Sequence, residues 1–452
     1  MQSIIIKGLN SVLEYSQSKF AFVREKSFFL QNFDTLVFAS ILITILAGLF
    51  CSSGIIGLCI FITLFLSVIN LFITPSQKFA PKAFDIALFV FLIISLISMF
   101  NSTLVHASLK GLFKTLTYIG FYFSSVQYFS KNKSKIKYIV WVITGCIAFE
   151  SVIAIIQNHT NVLPLASWQD LSKTNAEDVL SRAFGTLKPY NPNLLAAYFI
   201  LGFPMVLCTT LTALFNKQKI LFILSAIFSA LSGIAIIYTG SRGAYLGLGA
   251  ILFFAVLISF RIIFYDLNSD KLKKLWQMIV AGGFGCVTLI ILFTPSVLRR
   301  ILSIFVMRED SSTSFRMNVY KSSWAMFQDN PILGIGLGNT TFREIYGYYM
   351  LSGYDALSAY SIYLETAVET GIIGLISFIS LFVLLIIPCV KFIFSNCDIK
   401  EKIFISCCLL SVIGAMTHGC FDTVFFRPQV QTLFWLTAAI MNVFLTDKNK
   451  EF

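Results

Sequence analysis

Long apolar segments recur along almost the whole chain, and they restrict the folds open to it more than any other feature. Each runs for about 17–24 residues, which suits a transmembrane helix, whereas the strands of a membrane barrel are about ten residues long. Because lipid leaves only helices or closed barrels as options, we predict an all-α polytopic membrane protein with about twelve transmembrane helices. The predicted spans are 36–51, 54–73, 84–100, 107–129, 138–157, 193–213, 219–239, 243–264, 276–294, 371–394, 403–419 and 425–445.

Basic residues are concentrated at both ends of the chain and in every second connection between these segments, for example at Lys131, Lys133, Lys135 and Lys137. Cytoplasmic loops of membrane proteins carry an excess of lysine and arginine, so the pattern predicts that both termini are cytoplasmic. We expect a cytoplasmic amphipathic lead-in at 1–35, a transmembrane domain at 36–446 with outer loops 158–192 and 295–360, and a cytoplasmic tail at 447–452. The net charge of +12 then marks cytoplasmic loops, and we predict no binding of nucleic acid.

Nothing in the sequence indicates a metal site or a cofactor. The ten cysteines lie almost all inside apolar segments and lack the paired spacing of metal ligands, which is typical of small packing residues. No Asp-x-Asp pair and no cluster of histidine with carboxylates is present. We therefore predict no metal and no cofactor.

The one long polar interval, 295–360, carries five arginines: Arg299, Arg300, Arg308, Arg316 and Arg343. Loops longer than about 12–15 residues are uncommon unless they are functional or disordered, and this one is patterned. Helical spacing of apolar residues predicts a helix over 315–328, which the Asn330-Pro331 pair ends. A flexible turn that brings the backbone close to another element is predicted at Gly334, Gly336 and Gly338.

Two motifs place polar groups at the predicted outer ends of helices. Asn191-Pro192-Asn193 is a turn and cap signal that either only starts a helix or, with Arg182 beside it, offers Asn193 and the helix start as donors to an anion. Gly240-Ser241-Arg242-Gly243 joins two predicted helices through barely four residues. Arg242 either reaches lipid headgroups or, as we favour, binds a diphosphate, whose oxygens a guanidinium matches in a bidentate manner.

Two further motifs carry titratable groups. Glu365 and Glu369 are four residues apart and share one helix face. They could form ion pairs with arginines of the long loop, which we favour, or one could act as a base. His418 and Asp422 lie in a predicted short outer turn that continues to Arg427. A histidine in such a turn is either a structural residue, which we favour, or a catalyst.

Taken in order, these motifs resemble the O-antigen ligase and polymerase superfamily over about residues 140–445. The matching pieces are Gly240-Ser241-Arg242-Gly243, the interval from Arg316 to Asn339 with its three glycines, and Tyr363-Leu364-Glu365 with Glu369-Thr370-Gly371. Asn191-Pro192-Asn193-Leu194-Leu195 and Arg427-Pro428-Gln429 look most like the cyanobacterial branch labelled inorganic-carbon (bicarbonate) transporters.

The resemblance implies a glycosyltransferase-C-like fold and a metal-independent, inverting transfer. A polyprenyl-diphosphate-linked glycan would be the donor, and a glycan or lipid in the membrane the acceptor, on the outer, periplasmic face of a bacterial inner membrane. The candidate diphosphate-binding residues are Arg182, Asn193, Arg242, Arg316 and Arg343. The ligases typically have a histidine just before the Tyr-Leu of the third motif, where this chain has Tyr360. The candidate catalytic groups are therefore His418, Asp422, Glu365 and Tyr360.

Three functions remain open at this point. The first is glycan transfer in surface polysaccharide assembly. The second is transport of a small anion such as bicarbonate, which Lys110, Lys114 and Glu150 in or near predicted spans would serve. The third is a non-catalytic scaffold. A transporter should hold its site near the membrane midplane, at broken helices, whereas the motifs above share one predicted face, so we favour glycan transfer.

Overall fold

The computed structural model describes residues 2–74, 80–160, 182–293 and 311–446. Some predicted features lie outside the described residues: most of the outer loop 158–192, the tail 447–452, and the loop arginines Arg299, Arg300 and Arg308.

The described part contains sixteen α-helices. They are α1 Gln2–Lys26, α2 Phe28–Gln31, α3 Phe33–Phe50, α4 Ser53–Ile73, α5 Ala83–Asn101, α6 Val105–Lys131, α7 Ile136–His159, α8 Pro192–Phe215, α9 Lys219–Tyr238, α10 Arg242–Arg261, α11 Asp270–Phe293, α12 Ser311–Asp329, α13 Asn339–Tyr346, α14 Ile362–Phe394, α15 Ile399–Gly419 and α16 Pro428–Thr446. Short 3₁₀ turns precede α7 and α16, and a π-helical turn, Ile262–Leu267, follows α10.

Each predicted span coincides with one helix among α3–α11 and α14–α16. Eight of these helices are long and apolar enough to cross a membrane by themselves: α3, α4, α5, α7, α8, α9, α10 and α14. Of the other four, α6, α11 and α15 carry charged residues in their first half, and α16 carries Gln429, Gln431 and Asn442. The all-α polytopic fold is confirmed. The four less apolar helices carry their polar residues inside the bundle or at its ends.

The buried centre of the bundle is α8, which packs against α7, α9, α15 and α16. Most of its residues are buried, including Leu194, Phe199 and Ile200. Its sequence is no more apolar than that of its exposed neighbours, because a lipid-facing surface is as apolar as a protein interior. Hydropathy therefore does not predict the central position of α8. This position places the start of α8, at Pro192, in the middle of one end of the bundle.

Two helices are longer than the thickness of the membrane hydrocarbon layer. The 27 residues of α6 and the 33 residues of α14 extend over about 40 and 50 Å, against about 30 Å for the hydrocarbon layer. Their first turns therefore project beyond that layer, where they receive the 311–361 segment. The amide of Leu337 donates to Ser108 Oγ of α6 at 2.8 Å, and the amide of Gly338 donates to Glu369 Oε1 of α14 at 2.7 Å.

The 311–361 segment has a small apolar core of its own, which includes Val319, Met326, Phe342 and Tyr346. The predicted helix over 315–328 is confirmed as α12. The predicted glycine turn makes the expected close approach, since a side chain on Gly336 would overlap Ser102 and Ser108. It is packed against α5, α6 and α14, so its glycines serve contact with those helices.

The backbone of α14 bends at Gly371, whose φ of 67° is costly for any residue with a Cβ. A Cβ there would also overlap the carbonyl of Ile332. We expect Gly371→Ala to lower the free energy of unfolding by about 1–3 kcal/mol, measured by thermal unfolding of the purified protein in detergent. Gly145→Ala in α7 is the matched control, because a Cβ there meets nothing within 4 Å. An equal loss in both variants would contradict this explanation.

Candidate active site

The candidate site residues come together because neighbouring helices of the bundle alternate in direction. The ends of α7, α9 and α15 and the starts of α8, α10 and α14 all meet at one end of the bundle. We call it the site end. The sixth predicted span starts there as expected, with Asn191 as the N-cap whose side chain accepts a hydrogen bond from the amide of Asn193.

Asp422 lies at the centre of the site, in the turn between α15 and α16. Its Oδ2 atom accepts hydrogen bonds from Asn193 Nδ2 at 2.8 Å and from the Arg316 guanidinium at 3.1 Å. Its Oδ1 atom accepts from the amide of Val424 at 3.1 Å. Asp422 is buried, and a buried carboxylate is stable only when it is paired and hydrogen-bonded. Asp422 thus ties together the start of α8, the loop helix α12 and its own turn.

Arg182 joins this network through Asn193. One guanidinium nitrogen donates to Asn193 Oδ1 at 2.7 Å, and Nε donates to the carbonyl of Thr239 at 2.8 Å. The side chain lies over Gly240, whose φ is 60° and where a Cβ would come within 3.3 Å of Arg182. Gly240 therefore lets Arg182 lie against the turn between α9 and α10. Arg242, half-buried, is the first residue of α10, two positions further on.

Arg316 lies between the loop and the bundle. Besides its bond to Asp422, it donates to the carbonyl of Phe421 at 2.7 Å, and its guanidinium lies 5.3 Å from the centre of the Tyr360 ring. Burial, and secondarily the charge of Asp422, raises the pKa of Tyr360 to about 12. The phenol is therefore protonated at neutral pH and cannot serve as a general base there, whereas its ring supports the arginine.

His418 lies in the last turn of α15 and is buried, with 2% of its surface exposed. Its Nε2 atom has no hydrogen-bond partner among the described residues. The atom lies beside Gly243, where an added Cβ would be 3.6 Å away. A buried ring nitrogen without a hydrogen-bond partner is costly, and the choice between a structural and a catalytic His418 stays a prediction.

Three predicted residues do not join the Asp422 network. Arg343 pairs with Asp355 at 2.7 Å, and both side chains are more than half exposed. Glu365 accepts from the amide of Ala359 at 3.1 Å, and Glu369 from the amide of Gly338. Neither glutamate forms an ion pair with Arg316 or Arg343, so the expected pairs with these two arginines are not found, and the other three loop arginines lie outside the described residues. Both carboxylates instead fasten the loop backbone to α14.

The sequence analysis did not identify the residues that hold the backbone segment directly after Arg182. Gln157 Oε1 accepts from the amides of Phe184 and Gly185 at 3.0 and 2.8 Å, and Glu150 Oε2 accepts from the amide of Thr186 at 3.0 Å. The signal was present, because an acid inside an apolar span is costly unless it has a function. Glu150, considered above as part of a transport site, is engaged with this backbone. In the described part of the chain, no three histidine, cysteine, aspartate or glutamate residues are grouped to hold a metal ion.

We expect Tyr360→Phe to keep the glycan transfer that the sequence resemblance implies within about threefold of wild type, because the ring–guanidinium contact contributes independently of the hydroxyl. The Tyr360 hydroxyl makes no hydrogen bond to the described residues, and Tyr320 donates to the backbone carbonyl of Tyr360. Tyr360→Ala removes the ring and should lower the rate far more. Initial rates of transfer by the two variants distinguish a supporting ring from a catalytic phenol, and inactivity of Tyr360→Phe would establish the latter.

A family model described as O-antigen ligase matches residues 227–379, about a third of the chain. The matched range includes Arg242 and Arg316 and excludes Arg182 and Asp422. No curated protein matches the chain. The match supports a membrane enzyme that transfers glycans and supports the resemblance to the ligase and polymerase superfamily. The closer resemblance to the bicarbonate-transporter branch is not confirmed.

Proposed function

We propose that the protein is a membrane glycosyltransferase of the O-antigen ligase or polymerase type. It moves a glycan from a polyprenyl-diphosphate carrier to an acceptor on the outer face of a bacterial inner membrane, with both termini in the cytoplasm. The observation that carries the proposal is the Asp422 network, which fixes Arg316 and, through Asn193, Arg182 beside the turn that precedes Arg242.

The arginines fit a diphosphate leaving group. An outer-face enzyme has no nucleotide sugar, so its donor arrives activated on a lipid. The acceptor oxygen forms a bond to the anomeric carbon as the bond from that carbon to the diphosphate oxygen breaks, with inversion. Negative charge then grows on the diphosphate, and preorganised guanidinium groups stabilise it without reorganisation. Arg182, Arg242 and Arg316 are the candidates for this role because they lie in or beside the Asp422 network, whereas Arg343 is exposed and pairs with Asp355 outside it.

Of the four candidate catalytic groups, His418 is best suited to accept the proton of the acceptor hydroxyl. Asp422 already receives three hydrogen bonds, and Glu365 is engaged by the loop backbone. Tyr360 keeps its own proton at neutral pH. His418 offers an unpaired Nε2 next to α10, close enough to Asp422 and Arg316 to interact with their charges.

An apolar groove beneath the site suits the polyprenyl chain. It has a volume of about 430 Å³ and lies between α10, α14 and α15. Met416 and Thr417 line its upper part, directly before His418, and Arg261 and Phe394 line the other end. Its walls between these points are aliphatic and aromatic, so a carrier whose diphosphate lies at the site end can extend its chain along them into the bilayer.

Reconstitution tests the proposal. Purified protein in liposomes is given either a polyprenyl-diphosphate glycan with an acceptor, or labelled bicarbonate. We expect transfer of the glycan and no bicarbonate uptake above that of empty liposomes. Uptake without transfer would establish the anion transporter instead, and neither activity, with intact folded protein, would favour the scaffold.

A further inference from the structure

A cationic cavity lies at the site end, and none of the residues of the Asp422 network lines it. It has a volume of about 410 Å³ and is lined by the first turns of α4, by α6 and by the start of α16. The lining residues are Ser53, Gly54, Gly57, Lys114, Thr117, Tyr118, Arg427 and Pro428. Small-molecule sites in proteins have volumes of about 300–1,000 Å³. None of the diphosphate-binding residues proposed above lines it, so it is a separate space.

Two side chains give the cavity its charge. Lys114 and Arg427 are both exposed, and neither forms a hydrogen bond or ion pair through its side chain with the rest of the described chain. No acidic residue lines the cavity. The two like charges repel each other, and an anion bound between them would offset that repulsion. The cavity is therefore suited to a compact anion such as a phosphate.

Two acidic side chains lie near Lys114 on the protein side. Glu365 and Glu369 of α14 interact electrostatically with it. Their hydrogen bonds run to the backbone of the loop, to the amides of Ala359 and Gly338. They stabilise the charge of Lys114 electrostatically without a hydrogen bond to its ammonium group, so its donors remain available to a ligand in the cavity.

The depth of the cavity matches the headgroup layer of the membrane. Lys114 lies about 14 Å along α6 from the start of that helix, and this point is level with Ser53, the first residue of α4. The preceding turns of α6 are the projecting part that contacts the glycine turn, at Gly111 and Leu337. Lys114 therefore lies where the apolar layer begins, which is the level of lipid phosphates.

The surface below the cavity faces lipid. Leu58 and Phe61 of α4 are 56% and 59% exposed, and Phe113 of α6 is 61% exposed. Large exposed apolar side chains on two neighbouring helices, in a membrane protein, contact acyl or isoprenoid chains. A molecule that places its phosphate between Lys114 and Arg427 can therefore lay an apolar tail along α4 and α6.

We propose that this cavity binds the phosphate monoester headgroup of a membrane lipid, at a site separate from the one for the diphosphate donor. Lys114 and Arg427 hold the phosphate, and Gly54 and Gly57 leave the room that it occupies. Arg427 and Asp422 belong to the same turn, so one short segment of the chain serves both sites. The binding does not depend on the transfer reaction proposed above.

Binding of short-chain phosphatidic acid to the full-length protein in neutral detergent tests this inference, with native mass spectrometry as the readout. Loss of a charge-assisted contact typically costs tenfold or more in affinity, so Lys114→Gln with Arg427→Gln should weaken binding by at least about tenfold. Gly57→Phe should do the same by filling the cavity without a change in charge. Lys110→Gln, one turn earlier on α6 and outside the cavity, is the matched control and should bind as wild type does.

Three results would overturn the inference. They are unchanged binding in the double variant and in Gly57→Phe, equal binding of dioctanoylglycerol, which lacks the phosphate, and equal affinity for inorganic phosphate, which would identify a free-anion site. If the double variant does not fold, Gly57→Phe decides the question. Arg242→Ala should retain the binding, so loss of transfer and loss of this site are separable outcomes.

Discussion

Arg242→Ala should lower the rate of glycan transfer by about 10²–10³-fold, the usual cost of removing one preorganised group that stabilises developing charge. Arg242 is the first residue of α10 and follows the turn over which Arg182 lies. We propose that its guanidinium acts together with that of Arg182 on the departing diphosphate. The measurement is the initial rate of transfer from a polyprenyl-diphosphate glycan by the reconstituted enzyme.

Arg242→Lys should not restore the full rate. An ammonium keeps the charge but offers a point contact in place of the planar pair of donors that matches two phosphate oxygens. Arg343→Ala is the matched control, because Arg343 is exposed and pairs with Asp355 away from the network. We expect it to transfer at close to the wild-type rate. Near-normal activity of Arg242→Ala would contradict its assignment to the donor site. A loss of transfer in Arg343→Ala would contradict the placement of Arg343 outside that site.

Local signals were sufficient to predict the helices and their ends. Capping and helical spacing predicted the start of α8 at Asn191-Pro192 and the extent of α12, and both are found. The predicted span begins at 371, and Glu365 and Glu369 were placed on a helix before it; one helix, α14, begins at Ile362, contains both parts and bends at Gly371. The first turns of α14 carry Glu365 and Glu369, polar residues that hydropathy excludes from a span and that only the contact with the loop explains.

The sequence did not indicate which residues the charged side chains would bind. Arg316 and Arg343 belong to the same loop and looked equivalent, yet one reaches Asp422 and the other Asp355. The choice depends on how α12 and α13 pack around Val319 and Phe342, which is a property of the folded segment. The acidic residues illustrate the same limit, since Glu365 and Glu369 bind backbone amides that no charge pattern indicates.

Asp422→Ala is the second substitution for which we expect a large loss of transfer, because Asp422 lies at the centre of the site. Asp422→Ala leaves the Arg316 guanidinium without its carboxylate and the Asn193 amide without its acceptor, in a place where Asp422 is buried. Removal of one partner from a buried, hydrogen-bonded charge pair is strongly destabilising, because the other charge remains. We expect transfer to fall by at least about 10²-fold, as for a donor-site arginine, since Arg316 and the Asn193–Arg182 pair both lose their anchor.

A double-mutant cycle distinguishes positioning from independent contributions. If Asp422 acts by holding Arg316, then Asp422→Ala and Arg316→Ala together should cost much less than the sum of the two single changes, with a coupling of about 0.5–3 kcal/mol in the free energy of activation. The exposed pair of Arg343 with Asp355 supplies the matched cycle, in which the effects should be small and additive. Additive losses at Asp422 and Arg316 would show that the two residues act separately. Asp422 would then act through Asn193 and Arg182 rather than through Arg316.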